Sequence, residues 1–181
     1  MTIFESMSTY GYGEAHLVRD ERVQLRAVVA IHDSRRGPAL GGCRFVSYMN
    51  KEAALTDALR LARAMTFKAA LAKLPHGGGK SVILAPAVEY DRSALLTRFA
   101  GFIDDLGGRY ITAEDAGTGI ADMELMRART KHVVGLSPER GGSGDPSPFT
   151  ALGVRRGIEA CVAIALGKPG LTGIHVAVQG V

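Results

Sequence analysis

Cysteines, aromatic residues and long apolar runs are all scarce in this sequence of 181 residues. Its two cysteines are too few for a disulfide framework, and neither has a cysteine or histidine at metal-ligand spacing. No apolar stretch approaches the ~20 residues that a membrane span needs, and residues 1–7 lack the basic start of a secretory signal. We therefore expect a cytoplasmic protein with no membrane contact and no bound metal, whose Cys43 and Cys161 are reduced and packed.

Clustered positive charge is also missing, although the net charge is +4. The longest basic runs are pairs, Arg35-Arg36 and Arg155-Arg156, and aromatic residues make up only 6% of the chain. A nucleic-acid-binding surface needs a basic patch or stripe, so we expect no nucleic-acid partner. What the chain does have is 46% hydrophobic residues, enough to bury one core, and the length of one domain plus a fragment.

Helix-like and strand-like patterns alternate along the chain. Segments 15–19 and 23–32 predict a β-hairpin, and the glycines of 33–43 predict a loop in which the backbone approaches something closely. A helix is predicted to begin after Asn50, its N-cap, and to end near Leu74, because proline and three glycines follow.

The same alternation continues beyond these glycines. Further elements are predicted as a strand at 81–85, a helix along 95–106, a strand at 109–113, a helix at 120–129 and a strand at 132–135. Such an order is typical of a layered α/β fold with a mainly parallel sheet. Residues 136–148 have the composition of a linker, and a helix at 149–166 and an apolar strand at 174–181 follow it. We predict one domain over 1–140 and part of a second over 141–181.

Gly79, Lys80 and Ser81 match the Gly-Lys-Ser that ends the phosphate-binding-loop motif, but the surrounding sequence does not fit that motif. The motif needs glycine where this chain has Leu74, and it leads from a strand into a helix, whereas here a helix precedes and a strand follows. The glycines instead predict close packing that leaves Lys80 at the edge of a sheet. Desolvation, or a cation such as Lys68, would there lower its pKa and make it a base. The alternative is that both lysines are ordinary surface residues.

Asp115 comes just after the predicted strand at 109–113, at the carboxyl end where α/β sheets place their sites. Capping of the following helix is the alternative for Asp115, and it is the favoured role for Glu114. The histidines show no ligand spacing and are interpreted as structural.

Five ordered segments together resemble the Glu/Leu/Phe/Val dehydrogenase family of NAD-dependent amino-acid dehydrogenases, and most closely its leucine type. They are GPALGGCRF at 37–45, MTFK at 65–68, GGGK at 77–80, TAEDAGT at 112–118 and GDPSPFTA at 144–151. Any one of them is weak, whereas five at compatible spacing are specific. The resemblance runs from about Leu25 to the end of the chain and implies the α/β fold of that family's N-terminal domain.

The resemblance also implies roles for single residues. Lys68 would bind the substrate α-carboxylate, Lys80 would activate water and bind the developing carbonyl oxygen, and Asp115 would handle protons at the amino group. Loss of hydride from the α-carbon leaves an iminium that water attacks, which explains a need for a cation, an unprotonated amine and a carboxylate. The other implied substrate contacts are Leu40, Gly41, Gly42, Met65 and Ala113.

For the cofactor, the resemblance implies NAD. Thr150 would reach toward the nicotinamide, and Gly180 would be the first glycine of G-x-G-x-x-G after a first Rossmann strand. The later glycines, the helix and the ribose-binding acid are absent from the sequence. We therefore expect a truncated Rossmann domain, an incomplete NAD site and an inactive 181-residue chain that assembles as a homo-oligomer, as its relatives do.

Leu40 decides the expected substrate class. Glutamate-specific members of the family have lysine immediately before the Gly-Gly pair, and an apolar residue cannot satisfy a buried second carboxylate. Ala113, where phenylalanine-type members often carry glycine, narrows the pocket. We expect oxidative deamination of leucine, valine or isoleucine. The alternatives are a phenylalanine-type dehydrogenase and a non-catalytic module that binds amino acids or self-assembles.

Overall fold

The computed structural model describes residues 3–11 and 13–179. It separates the chain into two compact units, Met1–Gly144 and Asp145–Val181. The sequence placed this division four residues earlier, at 140. The second unit contains the helix α5 (Ser147–Leu166), and the fold below is that of the first unit.

Three layers make up the first unit, with a five-stranded sheet between helices. Its elements are α1 (Ile3–Tyr10), β1 (Glu14–Asp20), β2 (Leu25–Asp33), β3 (Ala39–Val46), α2 (Lys51–Leu71), β4 (Gly77–Leu84), α3 (Arg92–Asp105), β5 (Tyr110–Glu114) and α4 (Ile120–Arg127). The strand order is β1-β2-β4-β3-β5. Because β2 is antiparallel to β1 and β4, while β3 is parallel to β4 and β5, only β2 runs against the other four. The predicted hairpin and the mainly parallel sheet are confirmed.

Glycine-rich segments are strands here, contrary to the prediction. Residues 39–43 belong to β3 rather than to a loop, and the glycines at 77–79 open β4. Glycine in a strand often marks the close approach of another backbone. A β-carbon on Gly78 would lie 2.1 Å from the backbone nitrogen of Thr66, so this glycine lets α2 lie close to β4.

Two of the predicted strands do not form. At 132–135 a single bridge joins Val133 to Thr112, supported by the Val134 amide, which donates to the Thr112 carbonyl at 2.9 Å. Residues 174–179 are neither strand nor helix. A strand needs a partner, and the part of the second unit that the structure describes contains no other strand.

The sheet buries a core on each face. One face packs against α3 and α4 through large side chains, which include Leu95, Phe99, Ile103, Met123 and Met126. The other face packs against α2, whose buried residues are mainly alanines, at 54, 58 and 62. The small side chains bring this helix close to β4 and β2, whereas few of its residues come near β3. On this face, α2 therefore packs over β2 and β4, and it does not cover β3 and β5.

Asn50 caps α2 as predicted, since its side chain accepts from the Ala53 amide at 2.7 Å. The helix ends at Leu71 rather than Leu74, because Lys73 has a positive φ of 56°. Asn50→Ala should lower the free energy of unfolding by about 1 kcal/mol, because it removes the acceptor for an otherwise unpaired amide. Urea denaturation measures the change. Asn50→Ser keeps an acceptor and should stay near wild type, and an equal loss in both variants would contradict the capping role.

Candidate functional site

The part of the sheet beside α2, here called the site face, carries most of the predicted site residues. Leu40, Gly42 and Arg44 alternate along β3, and the register pairs Leu40 with Ile111 and Gly42 with Ala113 of β5. Paired residues of neighbouring strands share one face of a sheet. These five residues therefore line one surface, which is apolar apart from the Arg44 side chain.

Lys80 joins this surface from β4. It pairs with Ala30 of β2, and both Ala30 and the nearby Val82 belong to the core under α2, so Lys80 points to the same face. The strand is central in the sheet, so the prediction of an edge position was wrong. The side chain is 7% exposed. Burial lowers the pKa of Lys80 to about 8, and the charges of Arg44 and Lys68 act in the same direction.

Asp115 meets Lys80 on the site face. It follows β5 directly, and its Oδ2 accepts from the Lys80 Nζ. The Nε of Arg44 lies 3.5 Å from the same oxygen. The structure thus brings together the two residues predicted to be catalytic, and it places a second cation beside them.

A network of hydrogen bonds holds the turn that carries Asp115. The Asp115 amide donates to the Thr118 Oγ1 at 3.0 Å, and that hydroxyl donates to the Cys43 carbonyl at 2.8 Å. Arg92 donates to the Gly117 carbonyl at 2.6 Å from the other side. Because the turn is fixed to β3 and α3, the Asp115 carboxylate has a defined position opposite Lys80.

Gly42 makes room for this carboxylate. A β-carbon at position 42 would lie 2.7 Å from the Asp115 Cβ and 2.7 Å from the Glu114 carbonyl oxygen. Gly41 alternates to the other face, where its carbonyl accepts from the buried Tyr110 hydroxyl at 2.6 Å. Of the two predicted glycines, Gly42 shapes the site face and Gly41 joins β3 to the core behind it.

The predicted α-carboxylate ligand, Lys68, lies in the last turn of α2 and is exposed. Met65 lies one turn earlier and is half-buried. Lys68 is close enough for its charge to lower the pKa of Lys80. The last turn of α2 therefore places an exposed lysine side chain near the site face, where a ligand for the α-carboxylate is expected.

Helix capping by Glu114 or Asp115 was the alternative role, and the structure does not support it. The N-cap of α4 is Gly119, and the Gly119 amide donates to the Asp122 Oδ2 at 3.0 Å. Glu114 is the last residue of β5 and pairs with Cys43. Gly119, and neither acid, is therefore the N-cap residue.

Of the two residues assigned to NAD, only Thr150 lies among the described residues. Thr150 lies exposed in the first turn of α5, where its amide donates to the Pro146 carbonyl at 2.9 Å. Gly180 lies outside the described residues, and the strand expected to lead to it is missing over 174–179.

Sequence reasoning missed two members of the site face, Arg44 and Ile111. Ile111 had a usable signal, because it alternates with Ala113 along β5 and so shares its face. Arg44 had only its place in the GPALGGCRF segment. Its partners Asp57 and Asp115 lie 13 and 71 residues away, and they meet only through the order of the strands.

Three further features bear on the sequence predictions, namely the cysteines, possible metal ligands and possible membrane-spanning helices. Both cysteines are free; Cys43 is buried, whereas Cys161 is exposed, so its predicted packing was wrong. Across residues 3–11 and 13–179, no group of His, Cys, Asp or Glu side chains could hold a metal ion. No helix in those ranges has the length and hydropathy needed to cross a membrane.

Comparison with known proteins gives matches over the whole chain. A sequence model described as "Glu/Leu/Phe/Val dehydrogenase, dimerisation domain" matches residues 14–132. The leucine dehydrogenase of Geobacillus stearothermophilus is 50% identical over 181 residues, which cover 100% of this chain and 49% of that protein. The valine dehydrogenase of Streptomyces virginiae is 44% identical over 180 residues, 99% of this chain and 50% of that protein. The chain spans about half the length of the curated relatives it matches.

Solved structures agree. The L-tryptophan dehydrogenase of Nostoc punctiforme superposes with a TM-score of 0.73 at 40% identity, covering 90% of this chain and 45% of that one. A hetero-hexameric glutamate dehydrogenase of Thermus thermophilus has a TM-score of 0.62 at 21% identity, over 86% of this chain and 46% of that one. At that identity the second likeness concerns the fold alone.

Proposed function

This chain belongs to the Glu/Leu/Phe/Val dehydrogenase family, and on that premise we propose that it is the substrate-binding half of an enzyme that oxidatively deaminates branched-chain L-amino acids. The observation that carries the proposal is the contact between Lys80 and Asp115 on a site face that, apart from these two residues and Arg44, is apolar. A buried amine and a carboxylate, held side by side, supply the acid-base chemistry that the reaction needs. NAD is proposed as the hydride acceptor on the family likeness alone.

Each charged residue has one task in this proposal. Lys68 pairs with the α-carboxylate and orients the α-carbon over the site face. Loss of a hydride from that carbon and a proton from the nitrogen gives an iminium. Asp115 takes the proton that leaves the substrate nitrogen, and neutral Lys80 takes a proton from water as the water adds to this carbon and forms a carbinolamine. Asp115 then returns its proton to the nitrogen, the C–N bond breaks, ammonia leaves, and the hydroxyl proton is released to water as the carbonyl of the 2-oxo acid forms. Burial favours the neutral form of Lys80, because it disfavours the ammonium.

The apolar residues of the site face support a substrate with a branched aliphatic side chain. Leu40, Ile111 and Ala113 offer methyl groups and no charge. The cation nearest to them on β3, Arg44, already donates to Asp57 at 2.7 Å and faces Asp115. A glutamate side chain would therefore bury a carboxylate without a free partner, which is costly.

Substrate preference tests this proposal. We define the fused enzyme as residues 1–181 joined to the part of the G. stearothermophilus leucine dehydrogenase that this chain does not match. With NAD, the fused enzyme should have kcat/KM for L-leucine or L-valine at least about 100-fold above that for L-glutamate, because the extra carboxylate would be unpaired. Initial rates measure the ratio, and equal rates with glutamate would contradict it.

An aromatic substrate is the second candidate, favoured by one observation. The L-tryptophan dehydrogenase of N. punctiforme is 43% identical to this chain over 180 residues. L-tryptophan and L-phenylalanine therefore belong in the same assay, and a higher kcat/KM for either than for leucine would favour this candidate.

Self-assembly without turnover is the third possibility, and assembly also belongs to the leading proposal. The matching family domain is described as a dimerisation domain, and the outer strand β1 exposes Leu17 by 63%. We propose that the chain forms homo-oligomers. Light scattering of the 181-residue chain tests assembly, and turnover by the fused enzyme separates the enzyme from a module that only assembles.

A further inference from the structure

Arg44 is held between two carboxylates, and one of its donors is not used. Its Nη1 donates to the Asp57 Oδ2 at 2.7 Å, and the same oxygen accepts from the Tyr48 hydroxyl at 2.8 Å. Its Nε is buried, lies 3.5 Å from the Asp115 Oδ2, and makes no hydrogen bond to any described residue. Buried donors are normally paired. The Arg44 Nε thus lies next to Asp115 without a hydrogen bond to it.

Asp115 therefore faces two basic side chains, of which only one can lose its charge. Its Oδ2 contacts the Lys80 Nζ and has the Arg44 guanidinium next to it. Lysine can lose its charge when it is buried, whereas arginine stays protonated. When Lys80 becomes a neutral amine, Arg44 is the cation that still faces the Asp115 carboxylate.

We propose that Arg44 is a positioning residue: its guanidinium keeps Asp115 in place opposite Lys80, and its own permanent positive charge disfavours the ammonium form of Lys80. The proton that Lys80 gives up goes to water, and no other bond is made or broken. This inference rests on the proposed function, because it concerns Lys80 as a base. It differs from a purely structural role in which the Arg44–Asp57 pair only ties β3 to α2.

The charges around Lys80 distinguish the two roles. Titratable or charged groups from three parts of the fold surround Lys80. They are Arg44 on the same face of β3 and Cys43 on its opposite face, Lys68 and Asp57 of α2, and Asp115 after β5. Arg44 and Lys68 lower the pKa of Lys80, whereas Cys43 and Asp57 raise it. The two partners of one ion pair therefore act on Lys80 with opposite sign.

The test compares Arg44→Met with Asp57→Asn in the 181-residue chain. The titration of Lys80 is followed by NMR with isotope-labelled lysine, and Lys80→Arg identifies its signal. Arg44→Met should raise the Lys80 midpoint by about one pH unit, which lowers the amine fraction about tenfold near neutral pH. Asp57→Asn should shift the midpoint downward. Shifts in the same direction, or no shift in Arg44→Met, would overturn the inference.

Two further variants separate charge from packing. Arg60→Met removes another partner of Asp57, whose Oδ1 accepts from Arg60 at 2.7 Å, but Arg60 does not contact Asp115 and should change the Lys80 midpoint least. Arg44→Lys keeps the positive charge and should restore most of the wild-type midpoint. If Arg44→Met does not fold, Arg44→Gln and the downward shift in Asp57→Asn decide the question. No substrate is used, so failure of the proposed function would show only as missing turnover in the fused enzyme.

Discussion

Lys80→Ala should lower kcat of the fused enzyme by about 10²- to 10⁴-fold, the usual contribution of a positioned acid or base. The buried Nζ is in contact with Asp115, and on the site face it is the amine whose pKa is lowered to about 8. Steady-state rates with L-leucine give kcat, and single-turnover measurements confirm that the chemical step has slowed. The affinity for leucine should change less, because Lys80 acts on water rather than on the α-carboxylate.

Two other lysines serve as controls for Lys80→Ala. Lys68→Ala should mainly raise KM, because an exposed carboxylate ligand acts on binding, although misorientation of the α-carbon would lower kcat as well. Lys51→Ala, at the exposed start of α2, should leave both constants near wild type. Near-wild-type turnover in Lys80→Ala would move the base to another residue.

Gly42→Ala should lower kcat by about 100-fold, through displacement of Asp115. The new β-carbon would lie 2.7 Å from both the Asp115 Cβ and the Glu114 carbonyl oxygen, closer than atoms can approach. The turn that carries Asp115 must then shift away from Lys80, and a displacement of about 1 Å at a reacting group costs on the order of 10² in rate. Kinetics of the fused enzyme with L-leucine measure the loss.

The matched control is Gly157→Ala in α5, where an added β-carbon meets nothing within 4 Å. This substitution should leave kcat unchanged and slightly stabilise the helix, because alanine has the higher helix propensity. Circular dichroism shows whether Gly42→Ala still folds. A folded Gly42→Ala enzyme with normal kcat would show that the close contact between Gly42 and Asp115 has no part in the reaction.

Much of the fold was predictable because the decisive signals are local. The Asn50 cap, the hairpin and the alternation of helices with strands follow from short patterns, and the structure confirms them. The family was also predictable, because five motifs in order are far more specific than any one of them. The roles given to Lys80, Asp115 and Lys68 stay proposals, although the structure places the first two in contact.

What escaped prediction depends on contacts between distant segments. Glycine favours loops when only neighbours in sequence are considered, yet residues 39–43 and 77–79 are strands because their backbones pack closely against other elements. The central place of Lys80 follows from the strand order, which local patterns do not contain. Arg44 was missed for the same reason, since its two carboxylate partners come from α2 and from the turn after β5.

The titration of Lys80 in the 181-residue chain tests the central claim most directly, namely that the site face makes this lysine a base. Isotope-labelled lysine, with Lys80→Arg for assignment, gives its midpoint by NMR without substrate or cofactor. A midpoint near 8 is expected, well below the ordinary lysine value of about 10.4. The amine fraction, and with it kcat/KM of the fused enzyme, should then rise as the pH increases through about 8. A midpoint near the ordinary value would contradict the claim.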